Sequence, residues 1–249
     1  MHPVTFQTLI VETHYAKENN ILKGASNTER GNYFNEVLLR DNEYRKEIYQ
    51  NYPELVRILD VRVKNIIEYI IKIINDTESE INEIKNRLNN NENLGKIKDI
   101  DMSEGDTHNN GKSVSKLTFS TGKVIMYKPR ELNIEEKYSE FLNWLNDVAI
   151  DNNMYSLRAA KSYSIKDAGW MEFIEYKDCK NEKEISCFYY RIGILLCILY
   201  TTNGVDIHNE NIIAHGDMPI LVDLETFIHP VFSEEYQPEQ AAIIALKEI

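Results

Sequence analysis

The stretch GVDIHNENIIAHGDMPILVDLE, from Gly204 to Glu225, decides how this chain is read. Two short apolar runs, Ile212 to Ala214 and Ile220 to Val222, flank the turn His215-Gly216-Asp217 and predict a small hairpin. Ahead of the hairpin, Asp206 and Asn211 enclose four residues in a D-x-x-x-x-N pattern. Behind it, Asp223 follows the second apolar run, twelve residues beyond Asn211, with Glu225 two further on. An acidic turn beside a hairpin would look much the same, so the pattern gains its weight from what lies upstream.

Upstream, Val124 to Lys128 (VIMYK) reads as a strand that ends at Pro129. A lysine ending a strand, an Asp with an Asn five residues on, and a second Asp ending another strand are the parts of a kinase-type phosphoryl-transfer site. The Lys holds nucleotide phosphates, the first Asp takes the hydroxyl proton, and the Asn and second Asp hold Mg²⁺. On that spacing Lys128 is a nucleotide-binding candidate, Asp206 the catalytic one, and Asn211 and Asp223 the metal ligands. The run GDTHNNGKSV from Gly105 to Val114 looks like a phosphate loop, G-x-x-x-x-G-K-[ST], but has five residues between its glycines instead of four. A strand-like segment follows it where a phosphate loop needs a helix N-terminus. A Gly-bounded loop between strands can still cover phosphates, which makes Gly111 and Lys112 nucleotide-binding candidates. His108 and His208 have no His or Cys at helical spacing beside them, and oxygen ligands dominate around them, which favours Mg²⁺ over zinc.

The rest of the chain predicts an α+β protein with helices first. Pro53 opens a long helix, in which Leu55, Leu59, Val63, Ile66, Ile67, Ile70, Ile71 and Ile74 recur at three- and four-residue steps and predict one buried stripe. Asn89 to Asn93 (NNNEN) breaks the helical run. Lys96 to Met102 alternates loosely. Val114 to Phe119 and Lys123 to Tyr127 flank the turn Ser120-Thr121-Gly122. Asn133 with Glu136, and Asn181 with Glu184, have the spacing of capping boxes, and predict helices to Asp147 and to Tyr200, the second stopped near Gly204. Ser162 to Ile165 and Trp170 to Tyr176 read as strands around Gly169. The division expected is a helical part over 1–92, a β-rich part with the phosphate-covering loop over 93–180, and the catalytic and metal loops over 181–249.

A net charge of -12 argues against nucleic acid as a partner. Within that acidic chain, Lys112, Lys116, Lys123, Lys128 and Arg130 form a run with no acidic residue, which fits a local anionic ligand. Cys179, Cys187 and Cys197 have neither disulfide nor zinc spacing, and Cys187 and Cys197 read as core. The N-terminus lacks the basic and apolar regions of a secretory signal. The longest apolar stretch, Ile192 to Tyr200, is short for a bilayer. The expected location is the cytoplasm.

Taken together, GDTHNNGKSV, VIMYKPR, FLNWLND, GWMEFIEY, NGVDIHNENIIA and PILVDLET resemble the dehydratase domain of class II lanthipeptide synthetases, the LanM type, and the likeness extends to HPVTFQTLI at the start. The resemblance implies a bilobal fold similar to lipid kinases, with added N-terminal helices and, over this length, an incomplete C-terminal lobe. It implies ATP- and Mg²⁺-dependent phosphorylation of Ser and Thr in a precursor peptide, followed by phosphate elimination to dehydroalanine and dehydrobutyrine. The family's phosphorylation residues fall on Asp106, His108, Lys128, Asp206, His208, Asn211, Asp223 and Glu225. Family members continue well beyond residue 249, into elimination residues and a zinc cyclase domain. The chain therefore looks like a truncated dehydratase, whose partners would be the precursor peptide and the remainder of the synthetase. The alternatives are a non-catalytic module that holds ATP or the precursor, and a small-molecule or lipid kinase of similar fold.

Overall fold

Asn90 and Asn91 both adopt left-handed backbone conformations, and there the chain turns from helix to sheet. A computed structural model describes residues 3–102, 112–149 and 155–228. The chain divides into two compact units between Lys72 and Ile73, inside one long helix.

The first unit is helical: α1 (Pro3–Glu18), α2 (Asn27–Tyr33), a π-helical turn (Phe34–Leu38), α3 (Asn42–Asn51) and the first part of α4 (Pro53–Ser79). The caps are local. Ser26 and Glu29 form a reciprocal capping box, and Asp41 accepts from the backbone N–H groups of Glu43 and Tyr44. The expected stripe on α4 is only partly buried. Leu55 is buried, whereas Val63, Ile66, Ile67 and Ile71 are exposed. The residues that do go inside further along are Tyr69, Ile73 and Thr77, at four-residue steps on a neighbouring face. Periodicity marks an apolar face, but the packing partner selects which part of it is covered.

The second unit begins with the end of α4 and α5 (Ile81–Leu88), and continues through β1 (Ile97–Asp101), β2 (Ser115–Phe119), β3 (Val124–Lys128), α6 (Asn133–Ala149), β4 (Ser162–Ile165), β5 (Ala168–Glu172), α7 (Glu182–Thr202), β6 (Ile212–His215) and β7 (Met218–Leu221). Among the described residues β1 to β5 form one antiparallel sheet in the order β1-β2-β3-β5-β4, and β6 pairs with β7. The β2–β3 turn is the expected one, with Gly122 at φ 87°. The β4–β5 turn is not. It is made by Lys166 and Asp167, with Asp167 at φ 64°, while Gly169 lies inside β5 opposite Lys128. A Cβ on Gly169 would stand 2.4 Å from Leu132 Cγ, so glycine serves close packing there.

The two faces of the sheet differ. On one, aromatic side chains aim polar tips at the preceding helices: Tyr127 donates to Asp76 (2.7 Å), Trp170 Nε1 to Thr77 (3.0 Å) and Tyr163 to Glu80 (2.6 Å). On the other, Met126 and Met171 pack with Leu132, Ile174 and Ile220, which seats the β6–β7 hairpin against the sheet. Because strand side chains alternate, Tyr127 faces the helices and Lys128 faces the hairpin.

α6 and α7 enclose a second apolar cluster with Leu221, Leu224 and Phe227. The capping box expected at α6 does not form. Asn133 is already helical, and Glu136 accepts from the Ser164 backbone N–H and pairs with Arg87. α7 is capped as expected, with Asn181 accepting from the Glu184 N–H and a left-handed Asn203 ending it. Cys187 is buried on α7 but Cys197 is exposed, because the inward positions are 187, 191, 195 and 198. At 21 residues, α7 is long and apolar enough to cross a membrane by length and composition. Its inner face packs against β7, while Leu196 and Tyr200 on its outer face are exposed.

Candidate active site

Pro129 has no N–H to extend β3, so the strand ends with the Lys128 side chain turned toward the hairpin. Lys128 Nζ donates to the Val222 carbonyl at 2.6 Å and lies 3.6 Å from Asp223 Oδ1. Its side chain is 7% exposed. Burial pushes the amine below its ordinary pKa, and the Asp223 charge pulls the other way. A desolvated cation beside a half-open carboxylate exerts a stronger field than it would in water.

Arg130, two residues on, reaches the same place. Its Nη2 meets Glu135 Oε1 at 2.7 Å and Asp223 Oδ1 at 2.9 Å, and its Nε meets Glu225 Oε1 at 2.5 Å. Burial alone would lower the guanidinium pKa, but the Glu135 hydrogen bond and the three carboxylates raise it. Sequence reasoning placed Arg130 only in a basic run and did not single out Glu135. The available signal was Glu135 itself, which shares the inward face of α6 with Tyr138 and Leu142. A carboxylate at a core position needs a partner.

The Asp206–Asn211 loop is held from both ends. Asn203 turns the chain at φ 53°, and Gly204 N–H donates to the Leu199 carbonyl. A Cβ on Gly204 would stand 3.1 Å from the Phe227 carbonyl, which keeps this position small. Val205 then pairs with Thr226 through both backbone and side chain. Asp206 sits at φ 55°, a conformation that Asp and Asn tolerate better than most residues. Asn211 Nδ2 donates to the Asp206 carbonyl at 2.8 Å, and Val222 N–H donates to the Asn211 carbonyl at 3.0 Å. The D-x-x-x-x-N loop thus closes on itself and is stitched to the residue before Asp223. The Asp206 carboxylate is 73% exposed, with His208 Nε2 3.9 Å away. His208 Nδ1 accepts from the Glu210 N–H, which leaves Nε2 as the nitrogen facing Asp206.

The structure therefore brings Lys128 to Asp223, links Glu225 to Asp223 through Arg130, and joins Asp206, His208 and Asn211 to the residue before Asp223 through the hydrogen bonds of the loop. Asp106, His108 and Gly111 lie outside the described residues. Lys112 is half-buried at a single β-bridge ahead of β2 and groups with the first unit. Of the basic run, Lys116 lies over the Phe173 ring (5.1 Å), while Lys128 and Arg130 turn into the site, so the run is not one surface.

Among the described residues no three His, Cys, Asp or Glu side chains stand close enough to cage a metal ion. Asp223, Glu225 and Asn211 offer hard oxygen atoms. That set suits a cation such as Mg²⁺, which binds one or two carboxylates and completes its shell with phosphate and water.

Residues 52–248 match the family described as Domain of unknown function (DUF4135). The chain is also 27% identical over 246 residues to the lacticin 481/lactococcin biosynthesis protein LcnDR2 of Lactococcus lactis subsp. lactis. That alignment covers 96% of this chain and 26% of the relative, so the chain spans about a quarter of the relative's length. The family match takes in β3, the Asp206–Asn211 loop and Asp223, and with it the LanM-type resemblance read from the motifs stands: the chain belongs to the DUF4135 family.

Proposed function

We propose that this chain carries the phosphorylation site of a lanthipeptide dehydratase. With ATP and Mg²⁺ it transfers a phosphoryl group to Ser and Thr hydroxyls of a precursor peptide, the first half of dehydration in lantibiotic biosynthesis. The observation that carries the reading is the buried Lys128 amine 3.6 Å from Asp223, with Asn211 tied to the adjoining Val222. The topology supports a kinase-like arrangement: an antiparallel sheet with α6 between β3 and β4, then α7, the loop and the hairpin. The relative's printed role in lacticin 481/lactococcin biosynthesis supports the pathway.

In this reading the substrate hydroxyl oxygen bonds to the γ-phosphorus as the bond to the β–γ bridging oxygen breaks. The hydroxyl proton passes to Asp206, whose exposed carboxylate a peptide can reach. His208 Nε2 stands 3.9 Å from that carboxylate, near enough to meet the same substrate. Lys128 would hold the phosphates from its buried position, and Asn211 and Asp223 would hold a Mg²⁺, which when bound would offset the charge of the transferring group. Phosphorylation turns a poor leaving group into a good one. Loss of the α-proton and of phosphate then yields dehydroalanine or dehydrobutyrine.

The test is thermal unfolding with and without Mg·ATP. The nucleotide should raise Tm, since a ligand of the native state stabilises it. Asp223→Asn and Asn211→Ala should abolish the rise, and an undiminished rise in both places the nucleotide elsewhere. With a cognate precursor, mass spectrometry should detect added phosphate or lost water, and Asp206→Ala should cut that rate by about 10²-fold or more.

A further inference from the structure

The Arg130 guanidinium meets carboxylates from two chain segments, Glu135 in the first turn of α6 and Asp223 and Glu225 after β7. Glu135 is 2% exposed and takes both terminal nitrogens, Nη2 at 2.7 Å and Nη1 at 3.3 Å. Such a pair is costly to bury unless its geometry is good, and this two-point contact fixes the guanidinium plane. The plane then determines where the other carboxylates lie. Lys128 and Arg130 both approach Asp223 at Oδ1. Two cations against three carboxylates leave this cluster with one net negative charge. Without Arg130, Asp223 and Glu225 would repel each other. With it, they are held side by side and still carry anionic oxygen.

We infer that Arg130, anchored by Glu135, is a positioning residue that presents Asp223 and Glu225 to a divalent cation. The inference rests on the Mg·ATP reading of the site. Arg130 acts through the carboxylates, so its loss weakens cation binding without abolishing the cation's ligands. A lysine at 130 keeps the charge but lacks the fork needed to hold all three partners. Glu135→Gln keeps the shape but removes the charge that anchors the fork.

The experiment titrates MgCl₂ against the full chain at fixed, saturating ATP and reads the Mg²⁺ concentration giving half the maximal thermal shift. Arg130→Lys and Glu135→Gln should each raise it by about 10-fold or more, the usual effect of losing a partner that orients a metal ligand. Excess Mg²⁺ should restore the full shift in both, which a merely structural defect would not allow. Asp223→Asn is the control for the reading itself: an unchanged Mg²⁺ response there means the site is elsewhere. If Asp223→Asn abolishes the response while both test variants stay within about twofold of the parent, the inference about Arg130 is overturned and the site reading survives. Loss of the folded state in both variants, read by circular dichroism, would assign the pair to stability alone and also overturn it.

Discussion

Lys128→Met removes a buried charge while keeping the length of the side chain. Two effects oppose each other in the ligand-free protein. The Val222 carbonyl loses the donor now 2.6 Å away, which costs at most about 1–3 kcal/mol, the range for a fully buried acceptor left unpaired, because this one is partly buried. Against that, the desolvation of the ammonium is no longer incurred, and such replacements are often neutral or stabilising. Asp223 is not orphaned, because Arg130 stays 2.9 Å from the same oxygen. The net change in stability should lie within about 2 kcal/mol, or roughly 4–8 °C in Tm for a domain of this size. ATP binding should weaken whichever way stability moves, because a hydrogen bond to a charged group contributes about 1.5–3 kcal/mol, equivalent to about 10- to 150-fold in affinity. Differential scanning fluorimetry with and without Mg·ATP measures both. The pH dependence is a separate check. Burial holds the folded Lys128 amine below its ordinary 10.5, so in the alkaline range the unfolded chain binds more protons and stability gains as pH rises from the folded value to 10.5. Lys128→Met should lack that gain. A fall of more than about 10 °C in the ligand-free Tm, with the Mg·ATP shift intact, would show that Lys128 is a structural residue and refute the argument.

Burial and the Glu80 hydrogen bond push the Tyr163 hydroxyl up to about 12, so the unfolded chain loses this proton first and stability falls as pH rises from 10 toward 12; Tyr163→Phe should reduce that alkaline loss in pH-dependent denaturation curves. Gly169→Ala drives a methyl group to 2.4 Å from Leu132 Cγ, and should cost about 1–3 kcal/mol by urea unfolding, whereas Gly122→Ala meets no neighbouring atom and should cost only the strain of its φ of 87°. Arg191 is buried and donates to Ser156 O and to Asp217, so Arg191→Ala should destabilise by about 3 kcal/mol, and Asp217→Asn by less because Asp217 is 39% exposed.

Much of this fold was legible because its signals are local. The β2–β3 turn needed a residue at positive φ and the sequence supplies Gly122; the cap at Asn181 needed only the following N–H groups. The failures share a different cause. The Asn133–Glu136 pair has capping-box spacing, yet Glu136 is drawn to Ser164 and Arg87, partners 28 and 49 positions away. Val63, Ile66, Ile67 and Ile71 have helical spacing but are exposed, because the covered face is the one carrying Tyr69, Ile73 and Thr77. Gly169 read as a turn residue because glycine suits turns, whereas its missing Cβ accommodates Leu132.

The candidate site divides along the same line. Spacing alone determined that Asp206, Asn211 and Asp223 would lie around one loop and one hairpin, since a few residues cannot carry them far apart. Strand alternation determined that Lys128 would face away from Tyr127. Only the tertiary structure decided that Lys128 meets the Val222 carbonyl 94 positions away, and that Arg130 holds Asp223 at a separation of 93. Chain connectivity constrains short-range geometry through a few dihedral angles. The pairing of Glu135 with Arg130, and of both with the hairpin, is set by packing of α6, the sheet and the hairpin around Leu132, Met171 and Ile220, and by the need of a buried carboxylate for a cation.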